Sequence, residues 1–220
     1  VYKAGIIGCG RIGAGLKDSH ITAYDDCENT ELVSACDLRF AGSWDRFSGF
    51  TTYIHYPTMV QREHLDIVSV CTPPETHCQI VLDTAPFVKA IYCEKPMATT
   101  LEECDRMIET CHKHNVILQI NHQRRFAKPV FRINRRASGD IINTATHAFD
   151  LLNQYGIDAD IEEVMSDVSI FELKFERERM ILAGVEHLVD CLDNGKQSIS
   201  SGKEGREALR LSLEYDKCTQ

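Results

Sequence analysis

Gly5-Ile6-Ile7-Gly8-Cys9-Gly10-Arg11-Ile12-Gly13 is the stretch on which the reading of this chain turns. A short apolar run of strand character enters a glycine turn, and helix-forming sequence follows. The glycines fall at Gly8, Gly10 and Gly13, the G-x-G-x-x-G spacing of a dinucleotide-binding turn. Gly8 permits the tight turn, Gly10 lets backbone amides approach a pyrophosphate, and Gly13 lets the next helix pack on the strand. Arg11 and Ile12, inside the turn, count with the glycines as cofactor-binding residues. The N-terminus of the following helix adds unpaired N–H groups and partial positive charge for a phosphate. By themselves, three glycines equally describe a tight strand–helix turn with no ligand.

Working outward, Glu31-Leu32-Val33-Ser34-Ala35-Cys36 reads as a second strand that ends at Asp37, 24 residues beyond Gly13. A carboxylate there can accept both hydroxyls of an adenosine ribose and repels a 2′-phosphate. Its alternative is a turn residue or helix N-cap. Arg39 can stack on adenine or pair with a 2′-phosphate, so NAD is expected as cofactor with NADP as the alternative.

The rest of the first half alternates. A helix is expected over Ile12–Cys27 with a break near Asp18-Ser19-His20, then a short strand at Thr51-Thr52-Tyr53. The run Asp66 to Cys71 is continuously apolar, as a parallel strand covered on both faces should be, and stops at Thr72-Pro73-Pro74. Glu75–Leu82 reads as helix and Val88–Cys93 as strand. Thr100–His114 reads as an amphipathic helix with Thr100 and Glu103 in a capping box, and Val116–Ile120 as a final strand. This alternation predicts an α/β fold: a Rossmann-type doubly wound parallel sheet over residues 1–121. Ligands of such sheets bind beyond the carboxyl ends of the strands. Here those ends are Gly8-Cys9-Gly10, Asp37, Thr72-Pro73-Pro74, Glu94-Lys95-Pro96 and Asn121-His122.

Composition bounds the function. Apolar residues make up 43% and charged residues 26% of the 220, ordinary for a globular protein. No run reaches the length of a membrane span, and no signal peptide precedes the first strand. A net charge of −9 argues against nucleic acid as a partner. The ten cysteines form no C-x-x-C pair and sit inside expected strands and helices, which reads as free thiols in a reducing cytoplasm. Cys111-His112-Lys113-His114 has no second ligand cluster at zinc-like spacing, so no metal is expected.

Two elements at the ligand edge carry chemistry. Lys95 ends a strand, its backbone restricted by Pro96, and can donate to a substrate hydroxyl or carbonyl and share its proton; a surface lysine paired with Glu94 is the alternative. Asn143-Thr144-Ala145-Thr146-His147-Ala148-Phe149-Asp150 sets His147 and Asp150 three apart on one helix face, with Asn143 a turn earlier. A histidine suits proton removal from an alcohol as hydride leaves, although His147 also fits a helix start held by local bonds.

These residues carry a resemblance. The glycine turn, Cys71-Thr72-Pro73-Pro74-Glu75-Thr76-His77, Cys93-Glu94-Lys95-Pro96, Asn121-His122-Gln123-Arg124-Arg125-Phe126 and Thr146-His147-Ala148-Phe149-Asp150 resemble the Gfo/Idh/MocA oxidoreductases, the glucose–fructose oxidoreductase and inositol dehydrogenase group. The resemblance implies a nucleotide-binding first domain and, over 122–220, an α/β substrate-binding domain whose open sheet serves oligomerisation as dimer or tetramer. It implies hydride transfer between NAD(P) and a sugar, cyclitol or nucleotide-sugar. Lys95 and His147 become the catalytic pair, and Asp150 and Asn143 substrate-binding residues. Thr72, Pro73, His77, Glu94 and Lys95 join the cofactor site.

Two departures stand out. Several members carry an aspartate four residues before the histidine, where this chain has Asn143, an amide that takes no proton. The second domain is also short: after Asp150 only Val168–Phe175 reads clearly as strand, so segments of the open sheet are expected to be missing. Met180–Asp193, stopped by Asn194-Gly195, and the residues after Ser201 read as closing helices. Arg124, in the basic run 124–136, is the candidate for a substrate carboxylate or phosphate, with a solvated helix face as its alternative. An NAD-dependent glycoside hydrolase of the same fold and a non-catalytic nucleotide-binding homologue stand as alternative functions.

Overall fold

Short runs of Ile, Val, Ala, Tyr and Cys build the central sheet, because a parallel strand covered on both faces has no solvent side to fill. In the computed structural model, which describes residues 1–41, 49–126, 129–133, 172–175 and 179–218, these runs are β1 (Tyr2–Ile7), β2 (Thr30–Cys36), β3 (Thr51–Tyr53), β4 (Ile67–Val70), β5 (Ala90–Cys93) and β6 (Ile117–Ile120). They pair in parallel in the order β3-β2-β1-β4-β5-β6. Every residue of β4 and β5 is buried. The order reverses between β1 and β4, the switch point at which such sheets bind ligands.

Helices cover both faces. On one, α2 (Tyr56–Glu63), α3 (Pro74–Thr84) and α4 (Leu101–Lys113) contribute Met59, Val81, Cys104 and Met107 to a core with Val68, Val70 and Ile91. On the other, α1 (His20–Asp26) packs Ile21 and Tyr24 against Ile6, Ile67 and Tyr92. The α2 helix is absent from the sequence expectation, since proline at its second position and an apolar face of only Met59 and Val60 leave little periodicity to read. Among the described residues nine cysteines are buried and free, used as small apolar side chains.

The helix expected over Ile12–Cys27 is two pieces. A five-residue π turn, Arg11–Gly15, is followed by a bend, and α1 begins only at His20. Gly13 and Gly15 weaken the first piece, whereas Ser19 and Thr22 form a capping box that starts the second afresh.

The expected domain boundary at 121/122 is drawn across a shared core. The two closing helices, α5 (Met180–Asn194) and α6 (Gly202–Cys218), lie on the first sheet. Ile181, Val185 and Leu188 of α5 pack among Ala4, Tyr24 and Tyr92, and Leu209 of α6 joins the opposite cluster. Tyr2 Oη donates to Asp193 at 2.7 Å, and Arg206 pairs with Asp105 of α4. Apolar burial drives this attachment. Of the second sheet, β7 (Pro129–Ile133) and β8 (Glu172–Phe175) pair antiparallel; β8 is the C-terminal part of the strand expected from Val168, and residues 168–171 lie outside the described residues.

The Thr100 hydroxyl accepts from the Glu103 amide at 3.2 Å, and the Glu103 carboxylate accepts from the Thr100 amide, closing the start of α4. Thr100→Ala is expected to cost about 1 kcal/mol of stability, read as a lower urea midpoint with unchanged slope.

Candidate active site

The parallel ladder runs one residue past each central strand. Gly8 donates to the Cys36 carbonyl at 2.8 Å, Cys71 to Ile7 at 2.7 Å, Glu94 to Val70 at 2.9 Å and Asn121 to Cys93 at 2.8 Å. The loops expected to form a site are therefore held side by side on the carboxyl edge.

The first of them is the glycine turn. Gly8 has φ +94°, and a Cβ there would stand 2.7 Å from the Cys71 carbonyl group. A Cβ on Gly13 would stand 2.1 Å from the Gly8 carbonyl oxygen, so the turn closes on itself only without one. At Gly10 a Cβ would meet nothing within 4 Å, which leaves that side of the turn open for a ligand to approach. Arg11 is exposed and Ile12 half-buried. The amide of Cys9 donates to Asp37 Oδ2 at 2.8 Å, so the β1 turn is braced directly on the β2 carboxylate.

Asp37 also receives Nε and Nη2 of Arg39, each at 2.8 Å, and the Arg39 amide at 2.9 Å. The Arg39 side chain holds this carboxyl down at about 2, against some opposition from burial. It is an ionised acceptor at the tip of β2, as recognition of ribose hydroxyls requires.

Thr72 and Pro73 follow β4, Thr72 half-buried and Pro73 exposed. His77, expected to bind cofactor, is instead fully buried. Its Nε2 lies 2.7 Å from the Thr72 carbonyl oxygen and Nδ1 3.1 Å from that of Pro96. The ring fastens the β4 loop to the β5 loop.

Glu94 is likewise turned inward. Its Oε1 meets His20 Nε2 at 3.0 Å and Asn121 Nδ2 at 2.5 Å, and Oε2 accepts the Lys95 amide at 3.3 Å. Burial pushes this carboxyl up, but His20, Asn121 and the Lys95 charge together hold it below the usual value. Lys95 itself is half-buried, followed by a cis bond to Pro96. The simple surface pairing of Lys95 with Glu94 does not describe a carboxylate that is 7% exposed and faces into the protein.

Beyond β6, His122 is buried, with Nδ1 3.1 Å from Ser200 Oγ. Burial lowers it to about 3, with the Arg125 and Lys95 charges acting in the same direction, and it contributes no proton near neutrality. Arg124 and Arg125 lie on a short 3₁₀ turn; Arg125 is buried with Nη1 on the Ile199 carbonyl at 2.6 Å, and Arg124 is half-buried.

One edge thus brings together Gly8, Gly10, Arg11, Ile12, Gly13, Asp37, Thr72, Pro73, Glu94 and Lys95. Asn143, His147 and Asp150 lie outside the described residues. Sequence reading missed His20, Ser69 and Asn121 as parts of the site. A lone histidine in a broken helix and a serine inside an apolar strand carry no local signal; only Asn121, at a strand end, was in view.

A doubly wound sheet with a glycine turn, an acid after β2 and a lysine after β5 on one edge defines the class of nucleotide-binding α/β oxidoreductases. The profile of the oxidoreductase family with an NAD-binding Rossmann fold, GFO_IDH_MocA, matches residues 2–122, and the chain belongs to that family. Myo-inositol 2-dehydrogenase of Thermotoga maritima is 27% identical over 197 residues, 76% of this chain and 58% of that protein. The rhizopine catabolism protein MocA of Rhizobium meliloti is 30% identical over 131 residues, 57% of this chain and 38% of that protein. The matches thus span little more than half of these relatives at most. Among solved structures, scyllo-inositol dehydrogenase of Lactobacillus casei, with bound NAD(H) and scyllo-inositol, superposes with a TM-score of 0.76 at 12% identity, covering 99% of this chain and 96% of that one. The WlbA dehydrogenase of Bordetella pertussis, with NADH and UDP-GlcNAcA, gives 0.71 at 19%, covering 97% and 94%. Both likenesses are of fold.

Because His122 is lowered to about 3 in the folded chain from its usual 6.5, its contribution to stability is complete above 6.5 and is lost as pH falls towards 3. Urea midpoints measured from pH 7 to pH 4 are expected to decline less steeply for His122→Asn than for the parent.

Proposed function

We propose that this chain is the cofactor-binding and lysine-bearing part of an NAD-dependent dehydrogenase or reductase acting on a hydroxyl or carbonyl carbon of a cyclitol, sugar or nucleotide-sugar. The observation that carries the reading is the alignment of the open glycine turn, the ionised Asp37 and Lys95 on one sheet edge. Family membership and relatives that act on inositols supply the substrate class. The residues present suit the dinucleotide. The turn amides from Gly8 to Gly13 would hold its pyrophosphate and Asp37 would accept the adenosine ribose hydroxyls. Thr72, Pro73 and the Glu94–Lys95 segment would border the nicotinamide half.

The nicotinamide supplies the hydride chemistry. This chain's part is to orient the substrate and manage a proton. The Lys95 ammonium donates a hydrogen bond to the reacting oxygen, and His147 takes up the hydroxyl proton in the oxidative direction. Asn143 stands where several members carry an aspartate, and an amide takes no proton, so the acid–base work falls to His147 with Lys95. Asp150, Asn143 and Arg124 bind the remaining polar groups of the substrate. Residues 122–220 supply the substrate-binding and oligomerisation part, and the assembly is a dimer or tetramer working in the cytoplasm.

Protein mixed with NAD and a panel of polyols including myo-inositol and scyllo-inositol is expected to produce reduced nicotinamide, followed by absorbance. Lys95→Ala should lower kcat by about a hundredfold or more while NAD binding persists; full turnover in that variant and in His147→Ala would remove both from the mechanism. Asp37→Ser should weaken NAD by about tenfold, through the lost charged acceptor, and improve NADP, measured as Kd by titration calorimetry.

A further inference from the structure

Behind Lys95 lies a buried polar layer of which the cofactor and substrate assignments use only Glu94. Ser69, His20, Tyr24, Tyr92, Asn121 and Glu94 are all at least nine-tenths buried. Tyr24 Oη lies 2.7 Å from Ser69 Oγ, which lies 2.8 Å from His20 Nδ1. His20 Nε2 reaches Glu94 Oε1 at 3.0 Å. From the other side, Tyr92 Oη donates to Asn121 Oδ1 at 2.6 Å, and Asn121 Nδ2 donates to the same Glu94 Oε1.

Counting protons orders these bonds. Burial pushes the Tyr24 phenol up, so it keeps its proton, and among the described residues the acceptor in reach is Ser69 Oγ. Ser69 must then give its own proton onward, and the atom in reach is His20 Nδ1. His20 therefore accepts at Nδ1 and donates from Nε2 to Glu94. The reverse direction would leave the tyrosine proton without an acceptor among the described residues. The tyrosine–serine–histidine chain and the tyrosine–asparagine chain both end on one carboxylate oxygen. The other oxygen is left for the Lys95 amide. The His20 ring is also set edge-on against Tyr92, with centroids 4.9 Å apart, which fixes its plane.

We propose that His20 is a positioning residue for the reaction: its Nε2–H holds the Glu94 carboxylate in the orientation that keeps Oε2 on the backbone of Lys95. It rests on the reading of Lys95 as the reacting lysine. His20 opens α1, the helix behind the glycine turn, while Glu94 ends β5. One hydrogen bond thus ties the element that follows the cofactor turn to the strand end that presents the lysine. Without it, Asn121 alone holds Oε1 and the carboxylate is free to turn about that bond.

Two measurements test this. In the full chain labelled with ¹⁵N-histidine, the ring signals of His20, assigned by their loss in His20→Gln, should show a protonated Nε2 and an unprotonated Nδ1. A protonated Nδ1 overturns the proposal whatever the enzyme does. With NAD and the polyol the parent oxidises fastest, His20→Leu should lower kcat about ten- to a hundredfold. The Kd for NAD should change by less than about threefold, since uniform binding is untouched. His20→Gln, whose amide can still donate to Glu94, should recover most of that loss. Unchanged kcat in His20→Leu, or equal losses in the two variants, overturns the positioning role. Parent turnover with the wrong ring tautomer sinks this inference alone. No parent turnover on any polyol sinks the dehydrogenase reading, and with it a positioning role in that reaction, even if the tautomer is as stated.

Discussion

Everything at the carboxyl edge depends on the parallel ladder being carried one residue beyond the strands. Parallel pairing is evenly spaced and slanted, so each added bond moves the strand end by a set amount relative to its neighbour. The bonds from Cys71 to Ile7, Glu94 to Val70 and Asn121 to Cys93 remove the slack with which four loops would otherwise leave the sheet. A one-residue slip would do more than displace Lys95. It would turn Glu94 from the buried side to the opposite face, because side chains alternate along a strand. The register that builds the core also decides which carboxylate stands behind the lysine.

The polar layer behind that edge shows how a charge is kept in a dry interior. Glu94 is buried, yet each oxygen has a donor, and every donor is held by another side chain or by backbone. Such a network is costly when one member is lost and rigid when all are present. The buried thiols work the other way. Burial pushes Cys36, Cys104 and Cys111 up to about 12, so they behave as apolar filling beside the ionised residues.

How much of this was legible in the sequence depends on whether the information is local. The strands from Asp66 and Val88 were readable because a doubly covered strand is apolar throughout, and α4 because Thr100 and Glu103 mark its start. Gly8 and Gly13 announced a close approach that the backbone positions bear out, and Asp37 announced itself by distance along the chain. The motifs of His77 and Glu94 put both at the sheet edge, and only the fold reveals that their side chains turn inward. His20 was invisible, since its partners Ser69 and Glu94 stand 49 and 74 residues away. The packing of α5 on the first sheet was hidden for a related reason. Nothing local in α5 tells that its apolar stripe will cover the first sheet rather than a second one.

That attachment bears on the order in which the chain can fold. The sheet is complete at Ile120, but one of its faces stays partly bare until Ile181, Val185 and Leu188 arrive, and α4 waits for α6 in the same way. During synthesis the emerging first half would expose apolar sheet while some sixty intervening residues leave the ribosome. The segment between β6 and α5 is in effect an insertion within one folding unit. Until the last two helices close it, the waiting face is exposed apolar surface.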